Sequence, residues 1–334
     1  MQAPSPTLEM VAARAGVSKS TVSRVVNSPD SVPAKVVAAV NAAIDELGYV
    51  PNLAARSLAS HRSRTIALII PEDTAAFFTD PYYAALVPAV AKYLSTTEYT
   101  LTLVIASESE PDKTRRHLLS GNVDGAVVLS HHASDLVYVE IARSLPTVFS
   151  GRPPGSEDPH THMVDIDNVG AAEQATRYLL QHGRRSLATI TGPQSMTSAL
   201  DRFEGWMRAA FAAGVNNGLV EYADWSEASG ADAMRRLLAR GQPIDGLFAA
   251  SAQIATGAME VLRERGIRVP ADIAITTVDN DHFARNASPA LTTIEQPVTM
   301  LGATIAASLV RLIAGEAIGR LTLVPTTLIE RESV

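Results

Sequence analysis

From Thr65 to the C-terminus the chain alternates short apolar runs with amphipathic helical patterns, and this rhythm limits the fold more than any other feature. Strand-like runs fall at 66–70, 101–105, 126–129, 187–190, 247–250 and 273–278. Helical patterns lie between them at 83–94, 171–181, 202–213, 231–240 and 254–265, and a last strand-like segment spans 321–330. Such alternation builds parallel sheets covered on both faces. Residues 65–334 are too many for one sheet, so two α/β subdomains with a cleft between them are expected. In such folds a ligand sits at the carboxyl ends of the strands.

Residues 1–50 have a different texture and predict a small all-α domain. Thr7 can cap a helix over 8–15 that ends at Gly16, and Ser18 can cap a second over 19–26. A third runs from Pro33 to Leu47, with Val36, Val40, Ile44 and Leu47 on one stripe and Gly48 closing it. Residues 51–64 read as a linker. Its Ala-rich stretch, 52–60, is too short to hold a helix alone and is expected to order only in a complex.

Charge separates the head from the body. Residues 1–64 carry seven Lys/Arg against four Asp/Glu, +3, whereas the remainder carries 21 against 31, −10. A basic head on an acidic body directs only the head to a polyanion. With no cysteine among the 334 residues, disulfides, thiolate zinc sites and a cysteine nucleophile are excluded. No apolar run reaches the ~18 residues of a spanning helix. The first residues lack the basic start and apolar stretch of a signal peptide. A soluble, cytoplasmic protein with no membrane partner is expected.

The first helix, a turn at Gly16-Val17 and the second helix form a helix-turn-helix pattern. The second helix turns Lys19, Ser20, Thr21, Ser23 and Arg24 outward, with Val22, Val25 and Val26 inward. Arg can be bidentate to guanine O6/N7, and Ser or Thr can reach phosphates or base edges. These side chains favour double-stranded DNA; a helical hairpin that docks a protein is the alternative.

The ordered runs from Thr7 to Asn27 and from Leu47 to Leu58, with Gly48-Tyr49-Val50-Pro51-Asn52 inside the second, resemble the DNA-binding domain and hinge of the LacI/GalR family of bacterial repressors. The resemblance implies that Lys19, Ser20 and Arg24 read bases while Thr7, Thr21, Ser23 and Asn27 anchor phosphates. It places Asn52 and Ala55 on a hinge helix and makes Leu58 a wedge between base pairs, a device that bends the duplex. Pro33, Val36 and Val37 depart from the family pattern, removing a cap and a basic phosphate contact, so weaker DNA binding is expected.

The resemblance continues through Asp80-Pro81-Tyr82-Tyr83, Asp167-Asn168-Val169-Gly170, Asp201–Trp206, Asp224-Trp225-Ser226, Leu291–Pro297 and the ending Leu328–Ser333. It implies a periplasmic-binding-protein-like body, 65–334, whose two subdomains close on a small effector. By that resemblance Tyr82, Tyr83 and Trp225 offer stacking faces, and Arg202 and Asp279 hydrogen-bond the ligand. Ser251-Ala252 stands where relatives carry Asn-Asp, which removes two polar contacts and argues against the common sugar of close relatives. A neutral, sugar or nucleoside-like effector suits the opposed charges of Arg202 and Asp279.

Gly-x-Ser-x-Gly, Gly-x-Gly-x-x-Gly and the Walker-type glycine motif are absent. His131-His132 are adjacent, a poor chelating pair, and His160 and His162 fall in a stretch, 151–162, that reads as a solvated loop. Neither an enzyme, a cofactor nor a metal is therefore expected. The reading is a transcriptional repressor of the LacI type, a homodimer on a pseudo-palindromic operator, controlled by its effector. The alternative is a soluble small-molecule-binding protein without a DNA role.

Overall fold

A computed structural model describes residues 6–50, 62–71, 74–105, 111–129, 132–215 and 218–334. The chain divides into two compact units, Met1–Arg64 and Thr65–Val334. In the first, α1 (Leu8–Ala15), α2 (Lys19–Asn27) and α3 (Ala34–Leu47) enclose Val11, Val22, Val25, Val40 and Tyr49. Gly16 and Gly48 end α1 and α3 at φ of 67° and 61°, the left-handed region where glycine carries no Cβ penalty. Pro33 precedes α3 without a side-chain cap, and a 3₁₀ turn, Pro29–Ser31, connects it to α2.

The second unit opens with β1 (Thr65–Ile70), α4 (Thr74–Thr79), α5 (Pro81–Leu94), β2 (Thr100–Ile105) and α6 (Pro111–His117). It continues through β3 (Gly125–Val128), α7 (Leu136–Ala142), β4 (Thr147–Ser150) and β5 (His162–Asp165). The chain then leaves that sheet for α8 (Asn168–Gln181), β6 (Leu187–Thr191), α9 (Thr197–Ala212), β7 (Leu219–Tyr222) and α10 (Glu227–Ala239). Next come β8 (Gly246–Ala249), α11 (Ala252–Glu264), β9 (Ala274–Val278), α12 (His282–Asn286) and β10 (Thr292–Glu295). Last are α13 (Val298–Ile313), β11 (Leu321–Leu323) and β12 (Thr327–Ile329).

Two six-stranded sheets result, in the orders β11-β5-β4-β3-β1-β2 and β12-β10-β9-β8-β6-β7. Neighbours run parallel except β12, which pairs antiparallel with β10. Ile66 to Ile70 of β1 are fully buried, as a central parallel strand requires. After β10 the chain returns to the first sheet, where Leu301, Ile305 and Leu309 of α13 join its core. Three segments thus cross between the subdomains: β5 to α8, β10 to α13, and β11 to β12.

The structure differs from the sequence expectation in four respects. Segment 321–330 is not one strand: Val324 still donates to the Asp165 carbonyl, but Pro325 has no N–H, and β12 begins in the other sheet. The stretch 151–162 is not all loop, because His162 starts β5. The four-residue strands β4 and β10 carry too few apolar residues to show as runs, and Glu221 interrupts β7. Finally, β2 is not covered on both faces: Leu103 and Ile105 are 41% and 38% exposed on this edge strand.

Candidate functional site

In the head, Thr7 accepts a hydrogen bond from the Met10 N–H (3.3 Å) and Ser18 from the Thr21 N–H (3.2 Å), so both cap as their positions demand. Val22 and Val25 are buried and therefore fix which side of α2 faces outward. Lys19, Ser20, Arg24 and Asn27 are exposed, and Thr21 and Ser23 are half-buried. The Arg24 guanidinium has no partner among the described residues. Lys19 is different, since its ammonium is ion-paired with exposed Glu9, whose carboxyl that contact holds below its ordinary range. Asn27 donates to the Ser23 hydroxyl at 3.3 Å. Asn52, Ala55 and Leu58 lie outside the described residues.

In the second unit a cavity of about 810 Å³ opens between the two sheets, in the upper part of the ~300–1,000 Å³ range of small-molecule sites. Its walls come from the carboxyl ends of strands, as parallel α/β topology dictates. Ser150 ends β4, Asp165 ends β5, Trp225 follows β7, Ser251 follows β8 and Asp279 follows β9. Tyr82 and Tyr83 enter from the start of α5, where Asp80 caps the helix through the Tyr82 N–H. All six residues expected in the cleft therefore line one cavity.

Their roles are unequal. Tyr83 is 7% exposed and packs on Phe77, so most of its ring belongs to the core. The Tyr82 hydroxyl shares a 3.0 Å hydrogen bond with the Ser150 hydroxyl, and burial raises its pKa far enough to keep it protonated. Ser251 is consumed locally as the N-cap of α11, 3.3 Å from the Ile254 nitrogen.

Trp225 occupies the left-handed region at φ 74°. Ser226, which caps α10, also bonds the Asp224 carboxylate, and this turn presents the ring to the cavity. The indole lies against Gly192, where a Cβ would meet ring carbons at 2.4 Å. Its Nε1 donates to the Met196 sulfur (3.0 Å), and the Arg202 guanidinium stands 5.6 Å from the ring centroid, a cation–π distance.

Arg202, on α9, is only 5% exposed. Its Nε donates to the Asn168 side-chain oxygen (2.9 Å) and its Nη1 to the Ala250 carbonyl (2.6 Å). Asp279 lies 4.0 Å away, at φ 83°, and accepts from Gln296 on the second crossing. Burial raises the Asp279 pKa, and the nearby Arg202 charge works against that rise. Burial likewise pushes the Asp165 carboxyl up to about 6. The lips of the cleft touch as well: His132 Nδ1 lies 2.9 Å from the Ser195 hydroxyl, and Arg152 pairs with Asp201.

Several of these residues escape a reading by motif. Asn168 and Gln296 lie inside stretches with a family pattern, yet only the crossings bring them to the charges. Asp165 ends a strand too short to see. Among the described residues no group of three His, Cys, Asp or Glu side chains could hold a metal, and His131 lies outside them. Nor is any described helix long and apolar enough to cross a membrane.

Comparison with known proteins fits both units. Residues 7–52 match the family described as bacterial regulatory proteins, lacI family, and residues 176–334 match a periplasmic binding protein-like domain. The HTH-type transcriptional regulator CelR of Thermobifida fusca is 41% identical over 98% of this chain and 98% of its own length. The HTH-type transcriptional repressor PurR of Pasteurella multocida is 33% identical over 89% of each. A solved CelR–cellobiose complex aligns with a TM-score of 0.78 at 39% identity, covering 98% of this chain and 100% of that one. The lac repressor dimer bound to operator and the anti-inducer ONPF aligns at 0.87 with 27% identity, covering 98% of each. With a helix-turn-helix head, a two-sheet body and relatives along its whole length, this chain belongs to the LacI family of bacterial transcriptional regulators.

Proposed function

We propose that this chain acts in the cytoplasm as a homodimeric repressor of a pseudo-palindromic operator, and that a sugar of disaccharide size in the cleft controls it. The domain division proposed is 1–50 for the reading head, 51–64 for the hinge and 65–334 for sensing and dimerisation. Ser20 and Arg24 read base edges, joined by Lys19 once DNA draws it from Glu9. Thr7, Thr21, Ser23 and Asn27 hold phosphates; Asn52, Ala55 and Leu58 supply the minor-groove hinge.

The observation that carries the effector reading is the convergence of the Trp225 face with the opposed Arg202 and Asp279 in one cavity. Flat sugar faces stack on such a ring while hydroxyls take bonds from the cation and give them to the carboxylate. A net-charged ligand would leave one of the two ions opposed. The volume exceeds what one hexose needs, and the relative solved with cellobiose makes that disaccharide the first candidate. No catalytic step is assigned to the cleft, whose polar groups bind rather than activate. The exposed apolar side chains of β2, Leu103 and Ile105, support a second copy as partner.

Selection of bound fragments from a random DNA library, with and without cellobiose, tests this reading. A palindromic consensus whose recovery depends on cellobiose is the expected result. A protein that binds cellobiose but selects no sequence would instead be a solute-binding protein without a DNA role.

A further inference from the structure

Asn168 is 3% exposed, begins α8, and sits where the first crossing enters the second subdomain. Its amide bridges two groups of opposite hydrogen-bonding character. Nδ2 donates to the Asp165 carboxylate at 3.1 Å, and Oδ1 accepts from Arg202 Nε at 2.9 Å. A guanidinium can only donate and a carboxylate only accept, so one orientation of the amide satisfies both neighbours. Asp165 is itself anchored by the Ile166 N–H at 2.8 Å. Helices α8 and α9 must also approach closely for this contact. Gly205 permits it: a Cβ there would lie 2.1 Å from the Val169 carbonyl oxygen.

The Arg202 head group then has two fixed anchors, Asn168 and the Ala250 carbonyl. Asp279 at 4.0 Å is too far for a hydrogen bond, which leaves several guanidinium N–H groups without a partner among the described residues. Two anchors on different edges define the guanidinium plane, and with it the direction of the remaining donors. One anchor would let the plane rotate about a single bond.

We infer that Asn168, oriented by Asp165, is a positioning residue that fixes the Arg202 guanidinium for the effector. This inference rests on the cleft being the effector site. Asn168 itself gives its polar atoms to Asp165 and Arg202 and acts through the guanidinium.

The test uses the full-length protein in a Trp206→Phe background, which leaves Trp225 as the single tryptophan. Trp225 emission and its quenching by acrylamide are compared for the parent, Asn168→Ala, Arg202→Met and the double variant. Cellobiose is then titrated into each. Asn168→Ala is expected to alter Trp225 quenching without ligand and to weaken cellobiose binding about 10–100-fold, as loss of a bond to a charged group would. In the Arg202→Met background Asn168→Ala should have little further effect, because the group it positions is gone.

Exchanging the two partners, Asp165→Asn together with Asn168→Asp, keeps an acceptor for Arg202 Nε and a donor–acceptor pair between positions 165 and 168, at the cost of the Ile166 N–H bond, and should restore part of both signals. That exchange also keeps the result readable if Asn168→Ala proves unstable. Additive effects of Asn168→Ala and Arg202→Met, or no rescue by the exchange, would overturn the positioning role. If the parent does not bind cellobiose, the disaccharide reading falls, while the ligand-free Trp225 signals still decide the role of Asn168.

Discussion

Arg24 projects from α2 unpartnered among the described residues, whereas Lys19 is held by Glu9 until something displaces it. The two cations should therefore behave differently on DNA. Arg24→Ala is expected to cost about 1–3 kcal/mol on the selected operator and relax preference at one symmetric base pair. Equal weakening on operator and random DNA, measured by fluorescence anisotropy, would make Arg24 a phosphate contact. In the cleft, Asp165 carries a titration with a definite sign. Its carboxyl is raised from 3.8 to about 6 by burial, so the folded chain holds that proton more tightly than the unfolded one. The stability this gives is complete below about pH 4 and is lost as pH rises through 6. Asp165→Asn removes the dependence, so its melting temperature should gain on the parent between pH 4 and 7.5. A gap that stays constant over that range would contradict the assignment. At this scale the sequence shows residue types but not partners: Arg202 is visible in a motif, while its bonds to Asn168 and Ala250 depend on chain crossings far from it.

The helices α1, α2 and α3 were legible because caps and glycines bracket them: Thr7, Ser18, Gly16 and Gly48 all act in the structure as their chemistry predicts. Strands with continuous apolar runs, such as β1 and β8, were equally clear. Strands β4, β5, β7 and β10 were not, because four residues with polar ends, or in β7 with Glu221 inside, carry no apolar run. Nor could periodicity show that 321–330 serves two sheets, since Pro325 breaks the ladder without marking which sheet receives the next strand. Strand β2 makes the opposite point. Its apolar sequence suggested burial, yet Leu103 and Ile105 remain exposed because none of the described elements covers them. We expect Leu103→Lys with Ile105→Glu to shift sedimentation from dimer to monomer and to lower operator affinity at least tenfold, because two half-sites no longer bind together. A variant that still sediments as a dimer would move the interface elsewhere.

Across the whole molecule, the body offers two subdomains joined by three crossings, with buried charges at the base of the cleft. Ligand that stacks on Trp225 and bonds Arg202 and Asp279 contacts the subdomain holding β6 to β10, while Tyr82 and Ser150 belong to the other. Occupancy can therefore favour one relative arrangement of the two, and only a difference in affinity between arrangements can change DNA binding. Linkage then requires that operator alter effector affinity by the same factor. The most direct measurement is an anisotropy titration of the selected operator at increasing cellobiose, paired with a cellobiose titration at saturating operator. Coupling through the cleft requires equal reciprocal shifts, of about 1–3 kcal/mol, that vanish in Arg202→Ala. Cellobiose binding that leaves operator affinity unchanged, or an Arg202→Ala protein that responds in full, would contradict it.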